Sequence, residues 1–308
     1  MRVKLILNPI AGRGRGARAK DALLAALRRS GTEFDAAITG QRGAGRLLAK
    51  QALAEGYDTI IAAGGDGTVN EVVNGIAGGQ ACLGVLPLGT GNDFAAMMGM
   101  PKDPVAGLER ILRGRRLPVD LCRVNERFYV SSVGAGFDGE VCYTANHKFK
   151  HLRGMAVYLT SVFATILTYK PRCVKLTIDG KTYEREILLV AVANSRSYGG
   201  GMLVTPEAAV DDGFFDICLA EKMGTVRVSL NLPRFVKGRH LTMPEVTMLR
   251  GREVLLESTT PLYYQVDGEV MEDTRLAFRL IPHGLSVAGA EFTPTPVAAQ
   301  AAGAGENR

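Results

Sequence analysis

Tryptophan is absent and aromatic residues make up only 6% of the chain. Without aromatics interleaved among basic residues there is no stacking platform for single-stranded nucleic acid, so nucleic acid is not expected as a partner. Cysteine is sparse: Cys82, Cys122, Cys142, Cys173 and Cys218 stand far apart with no CxxC pair. That argues against a zinc site or a disulfide framework and fits a reducing compartment. Long apolar runs are missing too. The longest, residues 154–169, holds 16 residues including three threonines and one serine, short of the ~18 to 20 that span a bilayer. The apolar start breaks at Asn8-Pro9 without an h-region of adequate length or a cleavage site, so it reads as a first strand. These absences predict a cytoplasmic protein, soluble or peripheral to a membrane.

What is present is apolar bulk, glycine and basic charge. At 308 residues and 46% hydrophobic, the chain can bury one large core or two moderate ones, and its length favours two domains. Its 37 glycines suit a loop-rich α/β protein whose backbone approaches a ligand closely. The net charge of +6 is uneven, +5 over residues 1–120 and +1 over 121–308, and residues 143–175 hold six Lys or Arg and no acid. Such local basic faces suit an anionic substrate or an anionic membrane surface.

Residues 1–120 alternate short apolar runs with helical periodicity: 3–7 then 17–29, 34–39 then 46–55, 59–63 then 69–76, 83–88 then 105–112. This βαβα order predicts a Rossmann-like parallel sheet covered by helices, with ligands at the carboxyl ends of the strands. From about Asp120 the pattern becomes alternating and strand-like, as at Val174, Leu176 and Ile178, broken by turns such as Asp179-Gly180. The fold class expected is α/β: a nucleotide domain over 1–121, a mostly antiparallel β-sandwich over 122–292, and a flexible tail over 293–308. Two helical interruptions are predicted, near 144–169 and 225–238.

Three glycine-rich segments fall at predicted strand ends. In the first, Gly64-Gly65-Asp66-Gly67-Thr68 follows an apolar strand and runs into a helix whose packing side is Val69, Val72, Val73 and Ile76. Glycines let the backbone reach phosphate oxygens, and the helix N-terminus adds donors and a favourable dipole. An acid there repels phosphate unless it holds Mg²⁺, so Asp66 reads as acting through the metal or a ribose hydroxyl; a tight turn with Asp66 as helix N-cap is the plainer alternative. In the second, Asn8-Pro9-Ile10-Ala11-Gly12 leads through Arg13 to Gly16 into a helix. In the third, Leu88-Gly89-Thr90-Gly91-Asn92-Asp93 offers Thr90 and Asn92 to a phosphate or ribose. Alone, the second is an ordinary βα turn with solvated arginines, and the third is equally a capped turn before a helix at 94–98. Three at successive strand ends point to one phosphate site.

These segments resemble the catalytic domain of the diacylglycerol kinase and sphingosine kinase superfamily, in its bacterial lipid kinase form. The resemblance extends through Asp120 in LPVDLCRV, Gly134-Ala135-Gly136-Phe137-Asp138, Gly199-Gly200-Gly201-Met202 with Thr205-Pro206, Asp211-Asp212-Gly213-Phe214, and Val266-Asp267-Gly268-Glu269, covering about residues 3–290. It implies two domains with catalysis between them, and ATP with Mg²⁺ as cofactors. It also implies that Asn8, Pro9, Ile10, Ala11, Gly12, Thr39, Gly64, Gly65, Asp66, Gly67, Thr68, Val69, Asn70 and Thr90 bind ATP. Glu269 would be the general base. Asp212 with the carbonyls of Ala209 and Phe214 would hold a structural Mg²⁺, and Asp120 would link that ion to the active site. The departures are small: Ala11 stands where serine is frequent, and Gly40 follows Thr39 where many members place a polar residue. On local grounds Glu269 is an acid beside an Asp267-Gly268 hairpin turn; partial burial would raise its pKa and suit it to accept a hydroxyl proton.

Between 144 and 170, Met155, Leu159, Val162 and Ile166 fall at helical spacing, with Phe163 and Leu167 widening the apolar face and Lys148, Lys150, Arg153, Lys170 and Arg172 flanking it. The pattern suits a helix at a lipid entrance touching anionic headgroups, and equally a helix packed on the sandwich. Arg234, Lys237, Arg239 and His240 read first as a solvated face, with an extension of this basic rim as the alternative. The other histidines, His147, His151 and His283, have neither ligand spacing nor a triad partner. The expected activity is phosphoryl transfer from ATP to a lipid hydroxyl, with diacylglycerol leading over a sphingoid base or phosphatidylglycerol. A soluble-metabolite kinase of the NAD kinase type and a lipid-binding or nucleotide-sensing protein without turnover are the rivals, and a homodimer stays open.

Overall fold

The computed structural model describes residues 1–149 and 155–292. The first part alternates as expected: β1 (Arg2–Leu7), α1 (Ala11–Arg29), β2 (Glu33–Ile38), α2 (Ala44–Ala54), β3 (Thr59–Gly64), α3 (Asp66–Ile76), β4 (Cys82–Pro87), α4 (Asp93–Met97) and α5 (Pro104–Leu112). Then follow β5 (Arg116–Val124), β6 (Arg127–Tyr129), β7 (Ser132–Gly136), α6 (Phe137–His147), α7 (Met155–Thr168), β8 (Arg172–Ile178), β9 (Lys181–Ala193), β10 (Phe215–Glu221), α8 (Thr225–Val236), β11 (Val246–Gly251), β12 (Glu253–Val266) and β13 (Glu269–Ala288).

Local chemistry accounts for the helices near the site. Val69, Val72, Val73 and Ile76 are all buried, the i, i+3, i+4, i+7 stripe that fixes α3 against the sheet. Asp103 caps α5 by accepting the Ala106 N–H at 2.9 Å, with Pro104 in the first turn. β3 and β4 are buried along their whole length, as strands covered on both faces must be.

β4, β3, β1 and β2 pair in parallel in that order. The expected antiparallel, β-rich second part is present, and what the structure corrects is a Rossmann-like parallel sheet standing apart from it. The thirteen strands form one continuous sheet, and most of its pairings are antiparallel. The join is β13, 20 residues long. Its first half pairs with β12, its second half with β5, and Val287 meets Leu83 of β4 in parallel. A register shift between Ile281 and Leu285, with His283 at φ 52°, lets one strand serve both ends.

Three buried apolar clusters follow. One lies around β1, β3, β4 and α3 and takes Leu285, Val287, Ala288 and Ala290 from the far end of the chain. A second fills the β-rich part around Tyr129, Phe215 and Phe278. The third lies beneath α6, α7 and α8 and includes Val162, Ile166, Val228 and Phe235. Of the apolar stripe expected over 144–170, Val162 and Ile166 are thus buried while Phe163 and Leu167 are exposed. Lys150, His151, Arg153, the side chains of Met155 and Leu159, and the tail 293–308 lie outside the described residues.

Candidate active site

Two glycine segments meet at the carboxyl ends of β3 and β4. The Leu88 and Gly89 N–H groups donate to the Gly64 carbonyl at 2.8 and 3.1 Å. A Cβ on Gly89 would stand 2.3 Å from the Gly65 Cα, so the two backbones touch where no side chain fits. Asp66 then reaches across. Its carboxylate accepts the N–H of Asn92 at 2.7 Å and of Phe94 at 3.3 Å, so it caps the neighbouring α4 rather than its own helix. Burial first, and then the charge of Asp93, raise its pKa against those two N–H groups. Asp93 in turn accepts the Gly200 N–H at 2.9 Å, tying this loop to the β-rich part.

The first glycine segment lies alongside. Asn8 donates to the Thr68 hydroxyl at 3.0 Å. Gly12, Arg13 and Gly14 take φ of 55°, 59° and 83°, kinking the start of α1 so that Arg15 can donate to the Gly89 carbonyl. A Cβ on Gly12 would strike the Leu88 carbonyl at 2.1 Å. Pro9, Ile10 and Ala11 complete this turn, with Ile10 exposed, and Thr39 is buried at the end of β2 with its N–H on the Leu7 carbonyl. Thr68, Val69 and Asn70 are buried. Val69 packs in the core, and the Asn70 amide is spent on Asp267 at 2.9 Å and the Phe128 carbonyl at 3.3 Å.

A cavity of about 440 Å³ opens between these loops and the β-rich part, within the range of small-molecule sites. Asp66, Thr90, Gly91 and Asp93 line one wall; Ser131, Ser132, Asp138, Gln265, Asp267 and Gly268 line the other, with Cys142, Tyr198 and Met202 beside them. Asp138 is held by Gln265 at 3.3 Å, and burial pushes its carboxyl up to about 6. Asp267 sits at φ 45° in the β12–β13 turn. It accepts N–H groups from Val130, Ser131 and Ser132 at 3.3, 3.2 and 3.2 Å, yet burial still pushes it up to about 6. The Ser132 Oγ is buried without a hydrogen-bond partner.

Glu269 is next to Gly268 but faces two arginines, Arg42 at 2.8 Å and Arg127. Burial pushes its carboxyl up, but hydrogen bonds and charge from Arg127 and Arg42 outweigh it and hold the group below the usual glutamate range. The raised pKa expected for Glu269 is therefore corrected. Asp120 is fully buried; it accepts the N–H groups of Gly213 at 2.7 Å and His283 at 2.8 Å, and burial raises it against both.

Two places bear on a divalent cation. Asp212 accepts the Phe214 N–H at 3.1 Å and is paired with Arg250, and no group of three His, Cys, Asp or Glu side chains among the described residues could hold a metal. The Arg250 guanidinium is thus the charge partner of Asp212, and Ala209 and Phe214 flank that carboxylate in the chain. Asp66 and Asp93 fit a divalent cation. They face one cavity with like-charge repulsion between them, and Mg²⁺ is commonly held by one or two carboxylates together with substrate phosphates.

Sequence reading missed Arg42, Arg127, Asp93 and Asp138 as site residues. Asp93 and Asp138 stood inside quoted motifs without a role. The two arginines gave no local signal, because their partner is more than a hundred residues away in the chain.

Residues 2–124 match the family model described as the diacylglycerol kinase catalytic domain, and residues 131–289 match the YegS C-terminal NAD kinase beta sandwich-like domain. Diacylglycerol kinases of Staphylococcus aureus strains bovine RF122 / ET3-1 and MRSA252 are 33% identical over 270 residues, covering 87% of this chain and 86% of theirs. A proposed diacylglycerol kinase from Bacillus anthracis str. Sterne superposes with a TM-score of 0.79 at 25% identity, covering 93% of this chain and 94% of that one. Fold and site define an enzyme of the lipid kinase class, a phosphotransferase. The chain belongs to the diacylglycerol kinase-like lipid kinase family.

Proposed function

We propose that this enzyme transfers the γ-phosphate of ATP to the hydroxyl of diacylglycerol, giving phosphatidate. The observation that carries this reading is the two-walled cavity: glycine backbone and a carboxylate pair on one side, buried carboxyls beside Tyr198 and Met202 on the other. The residues 1–121 serve as a nucleotide domain, with Asn8 to Gly12, Thr39, Gly64 to Asn70 and Thr90 around ATP and the backbone N–H groups facing phosphate. Asp66 and Asp93 would hold a Mg²⁺ ion, which would supply charge neutralisation for the phosphates. The protein works in the cytoplasm and meets its acceptor at a membrane surface.

Glu269 accepts the hydroxyl proton. Arg42 reaches it from the nucleotide side and is mostly exposed, so triphosphate competes for that guanidinium. Its departure would raise the proton affinity of Glu269 towards a useful base. A second reading gives this role to Asp138, because that carboxyl lines the cavity and is already pushed up to about 6. Labelled ATP is to be offered with diacylglycerol, a sphingoid base and phosphatidylglycerol in mixed micelles. Labelled phosphatidate is the expected product. Label in another lipid moves the acceptor, and label in none of them sinks the reading.

A further inference from the structure

Helix α8 carries two apolar stripes of the same spacing on opposite faces. Val228, Leu232 and Phe235 point inward and pack in the third cluster. Val226, Leu230 and Pro233, at the same i, i+4, i+7 spacing, point outward; Val226 is 71% and Leu230 74% exposed. A helix needs one apolar face to pack on its own protein, and a second bare stripe marks a contact surface. The chain around it is basic. Lys222, Arg227, Arg234, Lys237 and Arg239 fall between Glu221 and Glu245 with no acid among them. Arg227 is paired with Glu245, and no ion pair engages Arg234, Lys237 or Arg239 among the described residues. Those three line a shallow hollow at the carboxyl end of the helix together with Pro233, Gly238 and Leu241. The neighbouring α7 packs against α8 and leaves Phe163 56% and Leu167 79% exposed.

We propose that the outer stripe of α8 docks the enzyme on an anionic lipid bilayer, with Val226, Leu230 and Pro233 entering the interface and Arg234, Lys237 and Arg239 against the headgroups. Charge complementarity selects this occupant: an apolar ridge bordered by unpaired cations is what an interfacial helix presents to anionic lipid. The inner stripe shares its cluster with Tyr198 and Met202, which line the cavity, so docking would set the cavity beside the surface that holds an embedded acceptor. The proposal rests on the lipid-acceptor reading.

The test uses the full chain and sedimentation with vesicles of phosphatidylcholine alone or with about one-third phosphatidylglycerol, without ATP or diacylglycerol. The wild type should pellet with the anionic vesicles. Leu230→Glu should lower partitioning roughly tenfold or more, and Lys237→Glu by about fivefold for each unit of charge changed near the surface. Turnover of a short-chain diacylglycerol dissolved as monomer should stay at the wild-type level in both variants, which also shows that they fold. No vesicle binding by the wild type, or equal binding by Leu230→Glu, overturns the proposal. So does a wild-type dimer in sedimentation velocity that Leu230→Glu dissociates, since a second copy would then own the face. Failure to phosphorylate any lipid sinks the acceptor reading alone, because vesicle binding is measured without catalysis.

Discussion

The two walls of the cavity are built from opposite materials. Next to Asp66 and Thr90 on one wall, the Gly65 and Gly89 backbones are brought so close that a Cβ on Gly89 would sit 2.3 Å from the facing Cα. On the Asp138 and Asp267 side the surface is side chain, with carboxyls buried until both are pushed up to about 6. A phosphate is best received by N–H groups with nothing in front of them, and a hydroxyl by an acceptor whose proton affinity is tuned. On the proposed reading, the contrast teaches that phosphate binding and proton handling are set by different means, loop geometry beside one wall and burial on the other. Glu269, next to Gly268 in the chain, differs, since paired arginines outweigh burial in deciding its proton affinity.

Substitutions can break this contrast one wall at a time. Glu269→Gln should lower kcat by about 10² to 10⁴-fold, the usual worth of a positioned base, while the KM for ATP changes little. Steady-state kinetics in both substrates read this; wild-type turnover would pass proton acceptance to Asp138. Asp66→Asn should act on the other wall, raising the KM for Mg-ATP by roughly ten- to a hundredfold through loss of one carboxylate ligand. An unchanged nucleotide affinity would leave Asp66 with only its cap on α4. Gly89→Val must push two backbones apart. It should cost about 1 to 3 kcal/mol of stability, as overpacking does, seen as a lower Tm that bound nucleotide only partly restores.

The smallest effect should come from Asp138. Its folded pKa of about 6 lies above the ordinary aspartate value, so its contribution to stability is fully present below the unfolded value and is lost as pH rises through about 6. Asp138→Asn, which cannot ionise, should therefore stabilise the protein by about 1 to 2 kcal/mol above pH 7 and by nothing near pH 4. Thermal melts across that pH range check the sign. A variant less stable than wild type at pH 8 would show that the carboxylate's hydrogen bond to Gln265 outweighs the cost of its burial.

Legibility in the sequence follows from the range of the interactions. The alternation up to Leu112 and the loops at the ends of β1, β3 and β4 were readable, because glycine, capping and periodicity act over a few residues. The Asp267-Gly268 turn was readable for the same reason, with φ of 45° and 90° at its two central positions. Its part in fixing the 130–132 segment was not, since those N–H groups arrive from another strand. Likewise Glu269 was visible as an acid while Arg42 and Arg127 were not visible as its neighbours, and so the direction of its pKa was misjudged. The single sheet escaped prediction because β13 pairs with β12, β5 and β4 at different points, and no local pattern announces that one strand will serve three.

That strand also bears on the birth of the protein. On the ribosome the first strands emerge long before β13. β4 keeps an open edge, and the surrounding core lacks Leu285, Val287 and Ala290, until about 200 further residues have been made. At about 5 to 20 residues per second, that interval lasts roughly ten to forty seconds. Over that time an exposed apolar edge is a target for chaperones or for a neighbouring nascent chain.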